Sequence, residues 1–94
     1  MTIKTVGIIG AGLMGNGIAQ IAAQAGSTVH LYDTNTQAAQ AARDHLQSQW
    51  ARMVEKQRMS AEDAAACLGR IALASTLQQL AECDLIVEAI VERL

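Results

Sequence analysis

The residues best suited to chemistry stand in the first third of the chain. Gly10-Ala11-Gly12-Leu13-Met14-Gly15 is a G-x-G-x-x-G run placed where the apolar segment Ile3 to Ile9 gives way to a helical pattern. Glycine inside regular structure costs roughly 0.5–1 kcal/mol relative to alanine. Three so close together mean that the backbone serves a purpose a side chain would obstruct. Between a strand and a helix each glycine has its own mechanical role. Gly10 permits the tight turn, Gly12 lets the backbone approach a pyrophosphate, and Gly15 lets the helix pack close to the strand. The N–H groups at the helix start, reinforced by the helix dipole, then face the anion.

Asp33 adds a second chemical feature. It follows Gly12 by 21 positions (33 − 12) and closes the apolar stretch TVHLY, where a carboxylate can accept hydrogen bonds from the adenosine ribose hydroxyls. The same carboxylate would lie against the 2′-phosphate of NADP, and no Arg occupies Thr34, Asn35 or Thr36 to neutralise it. NAD is therefore favoured over NADP, while an FAD-binding protein could share this loop. The plainer reading is a packing loop and a helix-capping Asp. His30 and His45 have no Cys or His partner nearby, and Cys67 and Cys83, fifteen residues apart, match neither a C-x-x-C pair nor a zinc spacing. Buried reduced thiols and no metal are expected. Glu88 and Glu92 lack a proton-transfer partner and make no acid/base pair.

Positioning this loop requires an alternation of elements. Ile3 to Ile9 reads as a strand covered on both faces. Met14, Ile18, Ile21, Ala22 and Ala25 fall at helical spacing, with Asn16, Gln20 and Gln24 away from them and Gly26 as the stop. Thr28 to Tyr32 is a second strand. Thr34 or Asn35 can cap a helix reaching about Lys56, with Ala42, Leu46, Trp50 and Met53 as its apolar stripe. At 1.5 Å per residue it spans roughly 30 Å, longer than a simple crossover needs, so part of it projects. Ser60 and Asp63 resemble a capping box for a helix with Ala61, Ala64, Ala65 and Leu68 on its apolar face, ended by Gly69. Strand three (Arg70 to Ala74), a short helix (Thr76 to Glu82) and strand four (Asp84 to Ile90) follow. The pattern predicts an α/β fold: the first half of a Rossmann-type doubly wound parallel sheet, with a long helical hairpin inserted between strands two and three.

Composition narrows the function classes. The chain has 94 residues, 51% hydrophobic and 17% charged, with a net charge of −2. This balance excludes a disordered chain, and the scattered Lys and Arg give no basic field for nucleic acid or an anionic membrane. No apolar run is long enough to span a bilayer, and a cytoplasmic protein is expected.

Taken in order, GAGLMGNGIAQIAAQAG, LYD ending at Asp33, and RIALASTLQQLAECDLIVEAIVERL resemble the NAD-binding domain of bacterial 3-hydroxyacyl-CoA dehydrogenases, over essentially the whole chain. The 3-hydroxybutyryl-CoA and 3-hydroxyadipyl-CoA members are not separated by these residues. The resemblance implies oxidation of the 3-hydroxyl of an acyl-CoA, with hydride passing to NAD, in an intact homodimer. It also implies that Gly10, Ala11, Gly12, Leu13, Met14, Gly15 and Asp33 bind the dinucleotide. Ala89 and Glu92 match positions near the nicotinamide-side ribose, and Lys56 resembles a hairpin lysine that contacts CoA. Gln57 stands where relatives commonly have Gly, a departure that bears on the hairpin turn.

The family's catalytic His, its Glu partner, and the Ser and Asn of the active site match no position in residues 1–94. Neither His30 nor His45 is expected to substitute. The chain is read as a partial NAD-binding domain, inactive alone, with the rest of that domain and a C-terminal helical domain absent. The alternatives are a stand-alone dinucleotide-binding or sensing module and a 3-hydroxyisobutyrate-type dehydrogenase, the long hairpin arguing against the latter.

Overall fold

A computed structural model describes residues 3–89. Its elements, in chain order, are β1 (Thr5–Ile9), α1 (Leu13–Gln24), β2 (Thr28–Tyr32), α2 (Thr36–Glu55), α3 (Ala61–Gly69), β3 (Ile71–Leu73), a 3₁₀ turn (Leu77–Leu80) and β4 (Leu85–Glu88). The strands form one parallel sheet in the order β3-β2-β1-β4. The chain leaves β1 toward β2 on one side while β4 pairs on the other. The C-terminal ends of β1 and β4 therefore open the crevice in which α/β sheets bind ligands.

Alternating residues of the strands build the core. Val6 and Ile8 of β1, Val29 and Leu31 of β2, and Ile71 of β3 face the helices and are buried against Ala19, Ala23, Leu46 and Trp50. On the opposite face Leu80 of the 3₁₀ turn closes over Gly7, where an added Cβ would meet the Leu80 side chain at 2.9 Å. In place of the expected short helix, four residues form this single turn, because Leu80 is drawn down onto the sheet. Cys67 is buried as expected, but Cys83 is only half-buried, and both are free thiols.

The hairpin matches its local signals. Asn35 caps α2, its side chain accepting from the Gln37 and Ala38 N–H groups, and the Ser60 hydroxyl accepts from the Asp63 N–H at the start of α3. The α2 stripe Ala42, Leu46 and Trp50 is buried, with Met53 packed beside it.

Two helix faces differ from the sequence expectation. In α1 the buried residues are Gly15, Asn16, Ala19 and Ala23, while Ile21 is 72% exposed and Met14 52%. Small residues let α1 lie close to the sheet, and Leu13, Met14 and Ile21 point outward while Ile18 packs at the edge of the core. Asn16 is buried because its Nδ2 donates to the Ala42 carbonyl of α2 at 3.0 Å, a partner that removes the cost of burying an amide. In α3 the buried residue is Cys67, and Ala61 and Ala65 are exposed. Arg70 fixes that junction, donating through Nη1 to the Ala23 carbonyl at 2.7 Å and so satisfying the end of α1.

Candidate dinucleotide-binding site

The glycine loop is built from a turn, a cap and a close contact. Gly10 has φ +107°, a left-handed conformation that L side chains disfavour, and its N–H donates to the Tyr32 carbonyl at 2.8 Å. The loop is thereby tied to the end of β2. Gly12 is the N-cap of α1, with no side-chain cap on the helix, so the first-turn N–H groups remain available. A Cβ on Gly12 would meet nothing within 4 Å. A Cβ on Gly15 would overlap the Gly10 carbonyl oxygen and crowd Ile8. Space at the helix start and contact one turn later are what a pyrophosphate held by backbone N–H groups requires.

Asp33, half-buried at the end of β2, faces this loop. Its Oδ2 accepts from the Ala11 N–H at 2.8 Å and its Oδ1 from the Asn35 N–H at 2.8 Å. Leu13 and Met14 are exposed at the mouth. Ala89 is buried, its N–H donating to the Ile9 carbonyl at 2.8 Å, which sets it beside Gly10 at the end of the β1–β4 pair. Gly10, Ala11, Gly12, Asp33 and Ala89 thus converge on the C-terminal edge of the sheet. Glu92 lies outside the described residues.

Lys56 does not join this cluster. It is the exposed C-cap of α2 and lines a separate hollow of about 290 Å³ with Arg52 and Arg58. A groove of about 420 Å³ runs from Gly12 between α1 and α2, and Gln20 and Gln49 line both. Sequence reading placed Gln20 on the polar side of the first helix and gave neither glutamine a role at a site, because only the packing of α1 on α2 brings the two polar faces together. His45 lines the groove beside Gln49, and His30 lies within β2. Among the described residues no group of three or more His, Cys, Asp and Glu is gathered as for a metal, and no helix is long and apolar enough to cross a membrane.

Comparison with known proteins agrees with this geometry. The family model "3-hydroxyacyl-CoA dehydrogenase, NAD binding domain" matches residues 5–94. The chain is 40% identical over 94 residues to a probable 3-hydroxybutyryl-CoA dehydrogenase of Bacillus subtilis, covering 100% of this chain and 33% of that protein. It is 43% identical over 91 residues to 3-hydroxybutyryl-CoA dehydrogenase of Bradyrhizobium diazoefficiens, covering 97% and 31%. The crystal structure of 3-hydroxybutyryl-CoA dehydrogenase from Escherichia coli superposes with a TM-score of 0.94 at 35% identity, over 99% of this chain and 20% of that one. The chain spans about a third of the length of the curated relatives named here. The glycine loop with space at Gly12, the carboxylate at the end of β2, the parallel sheet and the family match agree on NAD as the cofactor, and the chain belongs to the 3-hydroxyacyl-CoA dehydrogenase family as its NAD-binding domain.

Proposed function

We propose that the intact enzyme containing this chain oxidises the 3-hydroxyl of an acyl-CoA to a ketone. NAD, when bound, supplies the hydride acceptor. This chain holds and orients it: the α1 N-terminus at Gly12 takes the pyrophosphate, Asp33 takes the adenosine ribose, and Ala89 stands near the other ribose, a role that the resemblance also gives Glu92. The hydroxyl proton goes to a general base in a later segment, so these residues alone turn over no substrate. Such a base contributes typically 10²–10⁴ in rate. The remainder of the NAD domain and a C-terminal helical domain complete the enzyme, a cytoplasmic homodimer acting in fatty-acyl oxidation.

The observation that carries this reading is that a Cβ on Gly12 would meet nothing within 4 Å at a helix start without a side-chain cap, next to a carboxylate whose Oδ2 accepts from the Ala11 N–H of the same loop. Lys56, with Arg52 and Arg58 beside it, is the CoA contact, its cation meeting the CoA phosphates. The test is calorimetry of the chain with NADH and NADPH. Tighter binding of NADH is expected, and equal affinity for the two would overturn the role given to Asp33. Incubation with 3-hydroxybutyryl-CoA and NAD should form no NADH, and sustained turnover would place a base within residues 1–94.

A further inference from the structure

Asn16 is a polar side chain buried in the first turn of α1, only 8% exposed. Leucine would fill similar space and favour the helix more, and a buried amide requires a partner that an apolar side chain does not. What the amide adds is reach. Its Nδ2 donates to the Ala42 carbonyl, in the second turn of α2, at 3.0 Å. The backbone N–H of the same residue donates to the Gly12 carbonyl at 2.9 Å, the bond that opens α1.

These two bonds complete a circuit around the glycine loop. The Ala11 N–H donates to Asp33 Oδ2 at 2.8 Å, and Asp33 Oδ1 accepts the N–H of Asn35, the cap of α2, at 2.8 Å. Two turns of α2 lead from Asn35 to Ala42, and Asn16 returns from there to Gly12, the neighbour of Ala11. The helix start and the carboxylate are thus joined by a second route besides the Ala11 bond. The Gly10 N–H on the Tyr32 carbonyl and the close approach of Gly15 to Gly10 hold the loop to the sheet, but neither reaches α2. The other tie between the two helices, Trp50 Nε1 donating to Gln24 Oε1 at 3.2 Å, stands at the opposite end of α1 from the loop.

We propose that Asn16 is a positioning residue for the dinucleotide: by tying the first turn of α1 to α2 it fixes the separation between the N–H groups at the helix start and the Asp33 carboxylate. A ligand that bridges two contacts gains affinity when their separation is fixed, because the second contact forms at a high effective concentration and little ordering is left to the binding step. A ligand that uses one contact gains nothing from it. The inference rests on the roles of Gly12 and Asp33 in the proposed function.

The test compares the parent chain with Asn16→Leu, Asn16→Ala and Gln24→Ala. Each is measured for thermal unfolding, for NADH binding by fluorescence, and for binding of adenosine, which carries the ribose without the pyrophosphate, by calorimetry. Both Asn16 variants should bind NADH about tenfold more weakly, a small part of what a linked second contact can add, and should bind adenosine as the parent does. Asn16→Leu should melt higher than Asn16→Ala, because it leaves less of a cavity, so that the loss of NADH affinity is read in a folded protein. Gln24→Ala removes the far tie and should melt lower than the parent with its NADH affinity unchanged. Parent-like NADH affinity in Asn16→Leu would overturn the proposal, leaving the amide a packing feature. An equal loss in Gln24→Ala would also overturn it, since any loosening of the helix pair would then suffice, and so would an equal loss of NADH and adenosine in the Asn16 variants. A parent that binds NADH no more tightly than adenosine would overturn the roles of Gly12 and Asp33, and this inference with them.

Discussion

The Asp33 carboxylate holds the glycine loop against the end of β2, its Oδ2 accepting the Ala11 N–H at 2.8 Å while its Oδ1 accepts the Asn35 N–H at 2.8 Å. An ionised carboxylate offers about four lone-pair sites, so two remain for ribose hydroxyls. Asp33 is thus a fixture of the fold as well as the proposed cofactor contact. Asp33→Ala should weaken NADH binding about tenfold or more, since hydrogen bonds to a charged group contribute about 1.5–3 kcal/mol, and should narrow the preference over NADPH. It should also lower the melting temperature without any ligand. An unchanged melting temperature would mean that the Gly10 to Tyr32 bond holds the loop by itself.

Gly12 and Gly15 should separate binding from folding. At Gly12 φ is −74° and the surroundings are open, so Gly12→Val should leave stability nearly unchanged while its methyls exclude the pyrophosphate. Gly15→Ala forces a methyl into the Gly10 carbonyl, and strain of this kind costs typically 1–3 kcal/mol. Denaturant unfolding and NADH titration of both variants distinguish the roles. A Gly15→Ala protein as stable as the parent would show that α1 can shift along the sheet.

What the sequence disclosed follows how local each signal was. Thr28–Tyr32 as a strand, Asn35 and Ser60 as caps, and the Ala42–Leu46–Trp50 stripe all depend on neighbours within a turn or two, and all match the fold. The buried face of α1 did not yield to the same reasoning. Ile21 and Met14 outweigh Gly15, Ala19 and Ala23 in any count of apolar spacing, yet close approach to the sheet selects the small residues. The burial of Asn16 depends on a carbonyl 26 positions away, and no local pattern encodes it. The glycine loop and Asp33 were legible because motif spacing is itself a record of contact geometry, whereas the shared lining of Gln20 and Gln49 exists only once α1 and α2 are packed.

Asp84 ties the start of β4 to β1. Its Oδ2 accepts from the Lys4 N–H at 2.9 Å and the Thr5 N–H at 3.0 Å, and these bonds, that of Lys4 first, hold its carboxyl below the ordinary carboxylate range. A group depressed in the folded state contributes stability above its unfolded value, about 3.9 for aspartate. That contribution is lost as pH falls through the lower folded value. The melting temperature should therefore drop on acidification below about pH 4, modestly because the site is exposed, and the slope should be shallower in Asp84→Asn. The same variant should speed alkylation of Cys83, whose thiol is raised first by burial and then by the Asp84 charge. If slope and rate both match the parent, this carboxylate does not govern the junction.

The turn after α2 carries the last prediction. Gln57 has φ +59°. Its N–H donates to the Val54 carbonyl at 3.0 Å and the Arg58 N–H to the Met53 carbonyl at 2.9 Å, the paired bonds of a Schellman termination. The turn thus keeps the left-handed geometry suited to the glycine that the resemblance leads one to expect at this position, with glutamine in its place. That conformation costs a side-chain-bearing residue about 1–2 kcal/mol, and glycine's greater freedom in the unfolded chain returns part of the difference. Gln57→Gly should therefore stabilise the protein by about 1 kcal/mol, a rise of roughly 4–8 °C for a domain of this size. Gln57→Ala should change little, because it retains the Cβ. The two bonds, rather than the residue type, set the backbone that presents Lys56, so CoA affinity should be the same in Gln57→Gly as in the parent. A glycine variant no more stable than the parent would show that the glutamine side chain stabilises the hairpin in its own right.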